Sequence, residues 1–407
     1  MIKNIWEENN RCLQCKKPMC KKGCPVSTPM NKAIGLLKEN KIKEAGELLF
    51  NNNPLSVITG LICPHEEFCE GHCVLNHKGS PIQTGSIEHY ISEYYLNIVD
   101  FKPEINPEKK VAIIGSGPAG LTMAFLLARK GYDITIFESH EKIGGVLRYG
   151  IPEFRLPKSI LDMYHQLLIN AGVKIRPNTL VGTVITLDEM FRDGYKAAFV
   201  ASGTWKPRKL NIKGESLGHV YYAIDYLRSP STHKLGEKVC VVGGGNVALD
   251  CARTAARKGA KEVTVYYRRG EADMPSSDFE IKYAKLDGVN FEFYRAPVEI
   301  QDKCVKFAVT NTDSSDTDYK EICYDADTVI VSISQGPRSL IADSTRDLKL
   351  NKLGLVVIDE TGRTTKEGVF ASGDVVTGAK TVVEAVAATK IAANTLDEYI
   401  TQKYNFK

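Results

Sequence analysis

Long apolar runs are missing from this 407-residue sequence. None approaches the roughly 20 residues that a membrane-spanning helix needs, which argues against an integral helical membrane protein. A one-sided charge is missing too. Lys and Arg number 53 and Asp and Glu 49, a net +4, too mild a balance to point to nucleic acid or to an anionic membrane. The opening residues, MIKNIWEENN, lack the apolar core of a secretory signal, so a cytoplasmic location is expected. Core-forming residues are not scarce. The chain is 43% hydrophobic and 25% charged, as globular proteins are, and its length suits two or three domains.

What is present in excess is cysteine, and it is unevenly spread. Seven of the 11 cysteines fall within the first 73 residues. Cys12, Cys15, Cys20 and Cys24 have the spacing C-x2-C-x4-C-x3-C-P, and Cys63, Cys69 and Cys73 follow as C-P-x4-C-x3-C. Structural disulfides are rare in the cytosol, and an odd number cannot pair completely. Zinc sites usually come as two short pairs set apart by a longer loop. Thiols crowded into one loop, with Pro25 and Pro64 directly after cysteines, favour iron–sulfur chemistry, because one small cluster takes several thiolates from a single loop. Zinc and unligated thiols are the competing readings. Seven thiolates are one short of two four-iron clusters, which take about four ligands each. Either one ligand is not a cysteine or only one cluster is complete. Glu66, Glu67, Glu70, His72, His77, Glu88 and His89 are the nearby donors, and spacing does not choose among them.

Further along, the pattern becomes that of nucleotide-binding folds. VAIIG (111–115) reads as a buried parallel strand. Gly115, Ser116, Gly117, Pro118, Ala119 and Gly120 then form G-x-G-x-x-G, followed by a helical stretch, Gly131, the strand ITIF (134–137) and Glu138. This is the strand–turn–helix–strand context the dinucleotide fingerprint requires. Glu138 is placed to accept hydrogen bonds from a ribose diol. The unit recurs in VCVVG (239–243), with Gly243, Gly245, Asn246, Val247 and Ala248, a helix, and the strand VTVYY (263–267). Here no acid ends the strand. Tyr267 is followed by Arg268 and Arg269, which suit a 2′-phosphate and favour NADP over NAD.

Two such units suggest a flavin and a nicotinamide. Near the C-terminus, GVFASGD (368–374) reads as a strand and a turn ending in a carboxylate. Asp374, after Gly373, is a candidate for the ribityl chain of a flavin. The helix beginning at Thr381 would aim its N-terminus at the ring. A flavin segment after the second fingerprint implies that the nicotinamide domain interrupts the flavin domain, with crossings at VASGT (200–204) and SISQG (332–336). The expected architecture is α/β. A helical iron–sulfur domain (1–105) precedes two doubly wound, Rossmann-like domains, with FAD at 106–220 and 336–407 and NADP at 221–335. Cys240, Cys251, Cys304 and Cys323 read as buried small hydrophobes. With no C-x-x-C beside the flavin, thioredoxin-reductase chemistry is disfavoured.

Together these motifs resemble the glutamate synthase small (β) subunit family and its relatives, among them the electron-input half of dihydropyrimidine dehydrogenase. The resemblance runs from about residue 10 to residue 400. It is most specific in GGVLRYGIPEFRLPK (144–158), with NNPLSVITGLICPHEEFCEGHC (52–73) and YRRGEADMP (267–275) as further marks. The resemblance implies two [4Fe-4S] clusters with crossed ligation. Cys12, Cys15, Cys20 and Cys73 would hold one, and Cys24, Cys63 and Cys69 the other. PIQTGSIEH (81–89) matches the segment in which the family carries the eighth ligand, and it puts Glu88 there. For FAD the resemblance carries over Ser116 to Gly120, Glu138, Gly145, Arg155 and Asp374. For NADP it carries over Gly245 to Ala248 with Arg268 and Arg269. Thr389 departs from the family pattern, which usually has glycine before Lys390.

The expected activity is hydride transfer from NADPH to FAD, with electrons then leaving singly through the clusters to a catalytic partner subunit or a ferredoxin-type acceptor in a hetero-oligomer. The cofactors supply that chemistry, and no catalytic side chain is named. The partner could equally be that of a dihydropyrimidine dehydrogenase or of a ferredoxin:NADP bifurcating transhydrogenase. A reading of another class is a zinc-stabilised or redox-sensing flavoprotein module without a relay. KKPMCKK (16–22) sets four lysines in the first cysteine loop, either to offset a cluster or dock an acidic partner, or simply as a solvated loop.

Overall fold

A computed structural model of the chain describes residues 4–310 and 320–406. Helices dominate its first hundred residues: Ile5–Arg11, Met30–Lys38, Ile42–Asn52, Ser56–Ile62 and Thr84–Ile98. Met30, Ala33, Ile34 and Leu37 recur at helical spacing and are all buried, so one face of Met30–Lys38 turns inward. They pack with Ala45, Leu49, Ile87 and Ile91 in one core. Each fully buried leucine or isoleucine there contributes about 1.5–3 kcal/mol. Most of the cysteines occupy the ends and turns of this bundle, and Cys20 lies in the short helix Met19–Lys22. Cys12 and Cys63 each follow the last residue of a helix.

Next comes a five-stranded parallel sheet. Its spatial order is Val369–Ala371, Ala197–Val200, Asn106–Ile114, Tyr132–Phe137, Lys174–Arg176. Val111 to Ile114 pair on one side with Ala197–Val200 and on the other with Ile134 to Phe137. Those strand residues are buried on both faces, which is why they read as continuous apolar runs. The edge strand, Val369–Ala371, arrives from the far end of the chain and pairs in parallel with Ala198 to Val200.

A second five-stranded parallel sheet has the order Val220–Tyr222, Thr328–Val331, Lys238–Val242, Glu262–Tyr267, Asn290–Phe293. Helix Asn246–Arg257 buries Ala248, Leu249, Ala252 and Ala255 against it. By compactness the chain divides into two units. One comprises Met1–Leu147, Glu153–Thr204 and Pro337–Lys407, the other Arg148–Pro152 and Trp205–Gly336. The helical bundle and the first sheet thus share one unit.

One expectation is overturned in the second unit. Cys304 and Cys323 are joined by a disulfide. They sit on Cys304–Val309 and Glu321–Asp325, neighbouring strands of a three-stranded antiparallel sheet whose register sets Lys306 opposite Cys323 and Cys304 opposite Asp325. Cys304 is only half-buried and Cys323 is exposed, so neither is a core hydrophobe. Cys240 and Cys251 are buried, as their apolar settings suggested.

Candidate functional site

The first glycine turn is built around a carboxylate. Gly115 ends its strand at a φ of 96°, where a side chain would strike the Ala201 carbonyl. Ser116 is fully buried. Its backbone N–H donates to Glu138 Oε2 at 3.0 Å, and its hydroxyl donates to the same oxygen. Gly144 N–H donates to Ser116 Oγ at 3.0 Å, which pins the segment carrying Gly145 beside the turn. A β-carbon on Gly145 would lie 2.7 Å from the Gly117 α-carbon. The other oxygen of Glu138 accepts from His140 N–H at 2.8 Å. Burial works against the charge of Glu138, but hydrogen bonds from His140 and Ser116 outweigh it and hold the carboxyl below its ordinary range. A carboxylate ionised in this way, at the end of a central strand, suits a ribose diol.

In front of this turn there is room. Gly117 caps helix Pro118–Ala128 with no side-chain hydrogen bond, and the nearest atom to a β-carbon there would be 4.0 Å away. The cradle a side chain would fill, facing free N–H groups of a helix N-terminus, fits a pyrophosphate. Gly120 has the opposite reason for being glycine, since a methyl there would collide with the Gly115 carbonyl oxygen. The C-terminal segment closes on the same place. Gly373, at a φ of 77°, would bring a β-carbon to 3.0 Å from that of Ala119. Asp374 follows it, accepts from Lys380 N–H at 3.3 Å, and is pushed up to about 6 by burial. Thr381 caps the helix Val382–Tyr404 through a reciprocal capping box with Glu384, so that helix end is satisfied by its own side chains. Arg155 is half-buried in the same unit.

The second glycine turn repeats the frame in its own unit. Gly245 caps helix Asn246–Arg257 without a side-chain hydrogen bond, with space where a β-carbon would go, and Asn246 and Val247 open the helix. Ala248 is fully buried at the third position. Arg268 and Arg269 are exposed at the strand end, and among the described residues neither guanidinium makes an ion pair. Their backbone carbonyls are engaged by Thr310 and Tyr294.

The seven N-terminal cysteines fall into two groups. Cys12, Cys15, Cys20 and Cys73 line one cavity, together with residues drawn only from the stretch 12–84. Burial pushes the Cys20 thiol up to about 11, and Cys73, Cys12 and Cys15 act on it as like-charged neighbours. Burial also raises Cys63 and Cys69, whose charged neighbours include Glu88 and Cys24. Glu88 is buried, accepts from Thr59 Oγ1 at 3.3 Å, and is pushed up to about 8 by burial. Among the described residues no three His, Cys, Asp or Glu side chains converge on a single ion. Thiols spread over the walls of a cavity suit a cluster, whose ligands sit at separate corners.

Hydroxyl neighbours of these sulfurs escape a reading based on spacing. Thr84 donates to Cys69 Sγ at 3.0 Å, and Thr28 Oγ1 lies 3.2 Å from Cys24 Sγ. Two residues of the C-terminal helix also face the second group. Glu384 acts electrostatically on Cys63 and Cys24 on Lys390, while Lys390 Nζ donates to the Asn52 carbonyl at 2.9 Å. They lie more than 300 positions away in sequence, so no local signal marks them. Thr389 is buried and bonds Ser372 Oγ at 2.6 Å and the Ala385 carbonyl at 2.7 Å.

Comparison with known proteins bears on the family and the fold. A family described as pyridine nucleotide-disulphide oxidoreductase matches residues 109–389. The 4Fe-4S domain described as dihydropyrimidine dehydrogenase domain II matches residues 2–98. The glutamate synthase [NADPH] small chain of Escherichia coli is 33% identical, over 95% of this chain and 89% of its own length. The same subunit of Azospirillum brasilense is 34% identical, over 98% and 89%. The β subunit of an NADP(+)-dependent formate dehydrogenase of Moorella thermoacetica is 32% identical, over 94% of this chain and 60% of its own. Among solved structures, Mycobacterium tuberculosis FprA in complex with NADPH shares the fold, with a TM-score of 0.61 and 18% identity over 74% of this chain and 86% of that one. A thioredoxin reductase of T. acidophilum does so with a TM-score of 0.57 and 22% identity, over 73% and 99%.

Proposed function

The chain belongs to the family of glutamate synthase small chains, and from that premise we propose that it holds two [4Fe-4S] clusters, one on Cys12, Cys15, Cys20 and Cys73 and one on Cys24, Cys63, Cys69 and Glu88. It is an NADPH-dependent flavin and iron–sulfur oxidoreductase of the electron-relay type. When bound, the flavin accepts hydride from NADPH and the clusters carry the electrons onward singly.

The chain's own residues bind and orient. Glu138 holds the adenosine ribose of FAD, the free N–H groups after Gly117 take its pyrophosphate, and Asp374 takes the ribityl chain. The turn at Gly245 to Ala248 cradles the pyrophosphate of NADPH, and Arg268 and Arg269 read its 2′-phosphate. Cys24, Cys63 and Cys69 have Glu384 and Lys390 of the C-terminal helix as neighbours, so theirs is the cluster nearer the flavin. The other cluster is the exit. Its partner is a redox subunit or a ferredoxin-type protein, in keeping with relatives that are themselves named as subunits.

The observation that carries this reading is the shared cavity of Cys12, Cys15, Cys20 and Cys73, in which the last thiol joins three from the far end of the segment. The test is anaerobic purification with metal analysis. About eight irons and eight sulfides per chain are expected, and zinc without sulfide sinks the relay. Glu88→Ala should cut the iron to about four and leave the flavin bound. An unchanged iron content and EPR spectrum would remove Glu88 from the ligand set.

A further inference from the structure

The walls of the outer cysteine cavity are unusual at the surface. Leu13, Met19 and Val74 line it beside Cys12, Cys15, Cys20 and Cys73, yet they are 61%, 39% and 36% exposed. Side chains that are half in a cavity and half in solvent form an apolar mouth over the thiols. The two segments that supply most of this mouth, 11–24 and 73–84, contain no Asp or Glu. They carry Lys16, Lys17, Lys21 and Lys22, all exposed, and among the described residues none of these four makes an ion pair. Some lysines elsewhere on the surface do form ion pairs, as at Lys130 with Asp397 and Lys285 with Glu271. An apolar centre with a charged rim is the anatomy of a transient protein interface.

We propose that this mouth is the docking surface for an acidic redox protein that carries its own one-electron centre near a ring of carboxylates. This rests on the relay reading above. The apolar centre brings the partner's centre close to the outer cluster, and the four lysines steer and orient it. Such rims set on-rate and specificity more than final affinity. Each NADPH supplies two electrons and leaves as NADP+ with release of one proton, so two partner molecules are each reduced by one electron.

The test uses the full-length holoprotein with two probes, an acidic plant-type ferredoxin and a basic cytochrome c. Binding of each is measured at low and high salt, and NADPH-dependent reduction of a small neutral dye reports the flavin independently. Ferredoxin should bind the wild type at low salt and weaken as salt rises. Charge reversal at all four sites (K16E, K17E, K21E, K22E) should weaken ferredoxin at least about tenfold and strengthen cytochrome c, with dye reduction unchanged. Should the fourfold variant lose iron, K16E/K17E alone and the salt dependence of the wild type carry the test. Equal ferredoxin affinity in wild type and variant, or affinity that ignores salt, overturns the proposal. A wild-type dimer dissolved by Leu13→Glu would assign the mouth to a second copy of the chain, and that also overturns it. Loss of dye reduction or of iron in the wild type would instead count against the relay reading, so the two failures are distinct.

Discussion

The two glycine turns share a frame and differ at the end of the second strand. In both, a buried parallel strand ends in glycine and a helix begins with no side-chain cap. In the first unit that strand leads to Glu138, buried and enclosed by hydrogen bonds from Ser116 and His140. In the second it leads to Arg268 and Arg269, exposed and without carboxylate partners among the described residues. On the reading proposed above, the frame would bind what dinucleotides have in common, and the strand end would read what distinguishes them. A site built in advance around a buried carboxylate suits a resident cofactor. Exposed guanidiniums suit a ligand that comes and goes.

This contrast can be broken by mutation. The largest effect is expected at the third glycine position. Gly120→Ala puts a methyl against the Gly115 carbonyl, which should cost about 3 kcal/mol and release FAD, as read by flavin content and thermal unfolding. Ala248 already carries that methyl, and Ala248→Gly should cost only about 1 kcal/mol. Comparable losses at both positions would show that the two turns are not packed differently. Next, replacing Arg268 and Arg269 with alanine should weaken NADPH about a hundredfold while sparing NADH, since two charge-assisted contacts are lost. Equal loss for both nucleotides would remove these residues from 2′-phosphate recognition. Glu138→Gln keeps the shape of the first site but not its charge, and FAD affinity should fall about tenfold.

The remaining effects concern pH, and here the units should behave oppositely. Asp374, pushed up to about 6 by burial, favours the folded apoprotein while protonated. That contribution is fully present below about pH 4 and is lost as pH rises through 6. Asp374→Asn should therefore stabilise the apoprotein at pH 7, by up to about 2 kcal/mol. Asp287 faces Arg253 and Arg257. Burial opposes its charge, but both guanidiniums outweigh that and hold its carboxyl below the ordinary range. Its contribution is present above about pH 4 and is lost as pH falls through its lowered pKa. Asp287→Asn should cost about 1–2 kcal/mol at pH 7, since Arg253 keeps Glu280. Denaturant titrations at pH 4 and 7 would check both, and shifts of the same sign would refute the contrast.

Much of the site was legible because it is local. A fingerprint glycine, a strand-end acid and a cysteine loop each announce themselves within a few residues, since the turn, the helix start and the ligand spacing are set by neighbouring backbone. What escaped was the pairing of distant pieces. Cys304 and Cys323 look like isolated residues until an antiparallel register brings their strands together. His140, Thr28 and Thr84 carry no motif, yet they bond Glu138, Cys24 and Cys69.

The sequence by itself determined the fold class, the two nucleotide frames and the number of thiols available. Those follow from periodicity and from glycines whose conformations no other residue adopts at low cost. Only the tertiary structure decided that Cys12, Cys15, Cys20 and Cys73, grouped in the sequence by family resemblance alone, line one cavity, that the C-terminal helix brings Glu384 and Lys390 to the inner group, and that the outer group opens onto an apolar mouth rimmed with lysine. The reason is physical. Local spacing fixes backbone geometry, whereas burial and electrostatic environment depend on contacts between segments that folding alone brings together.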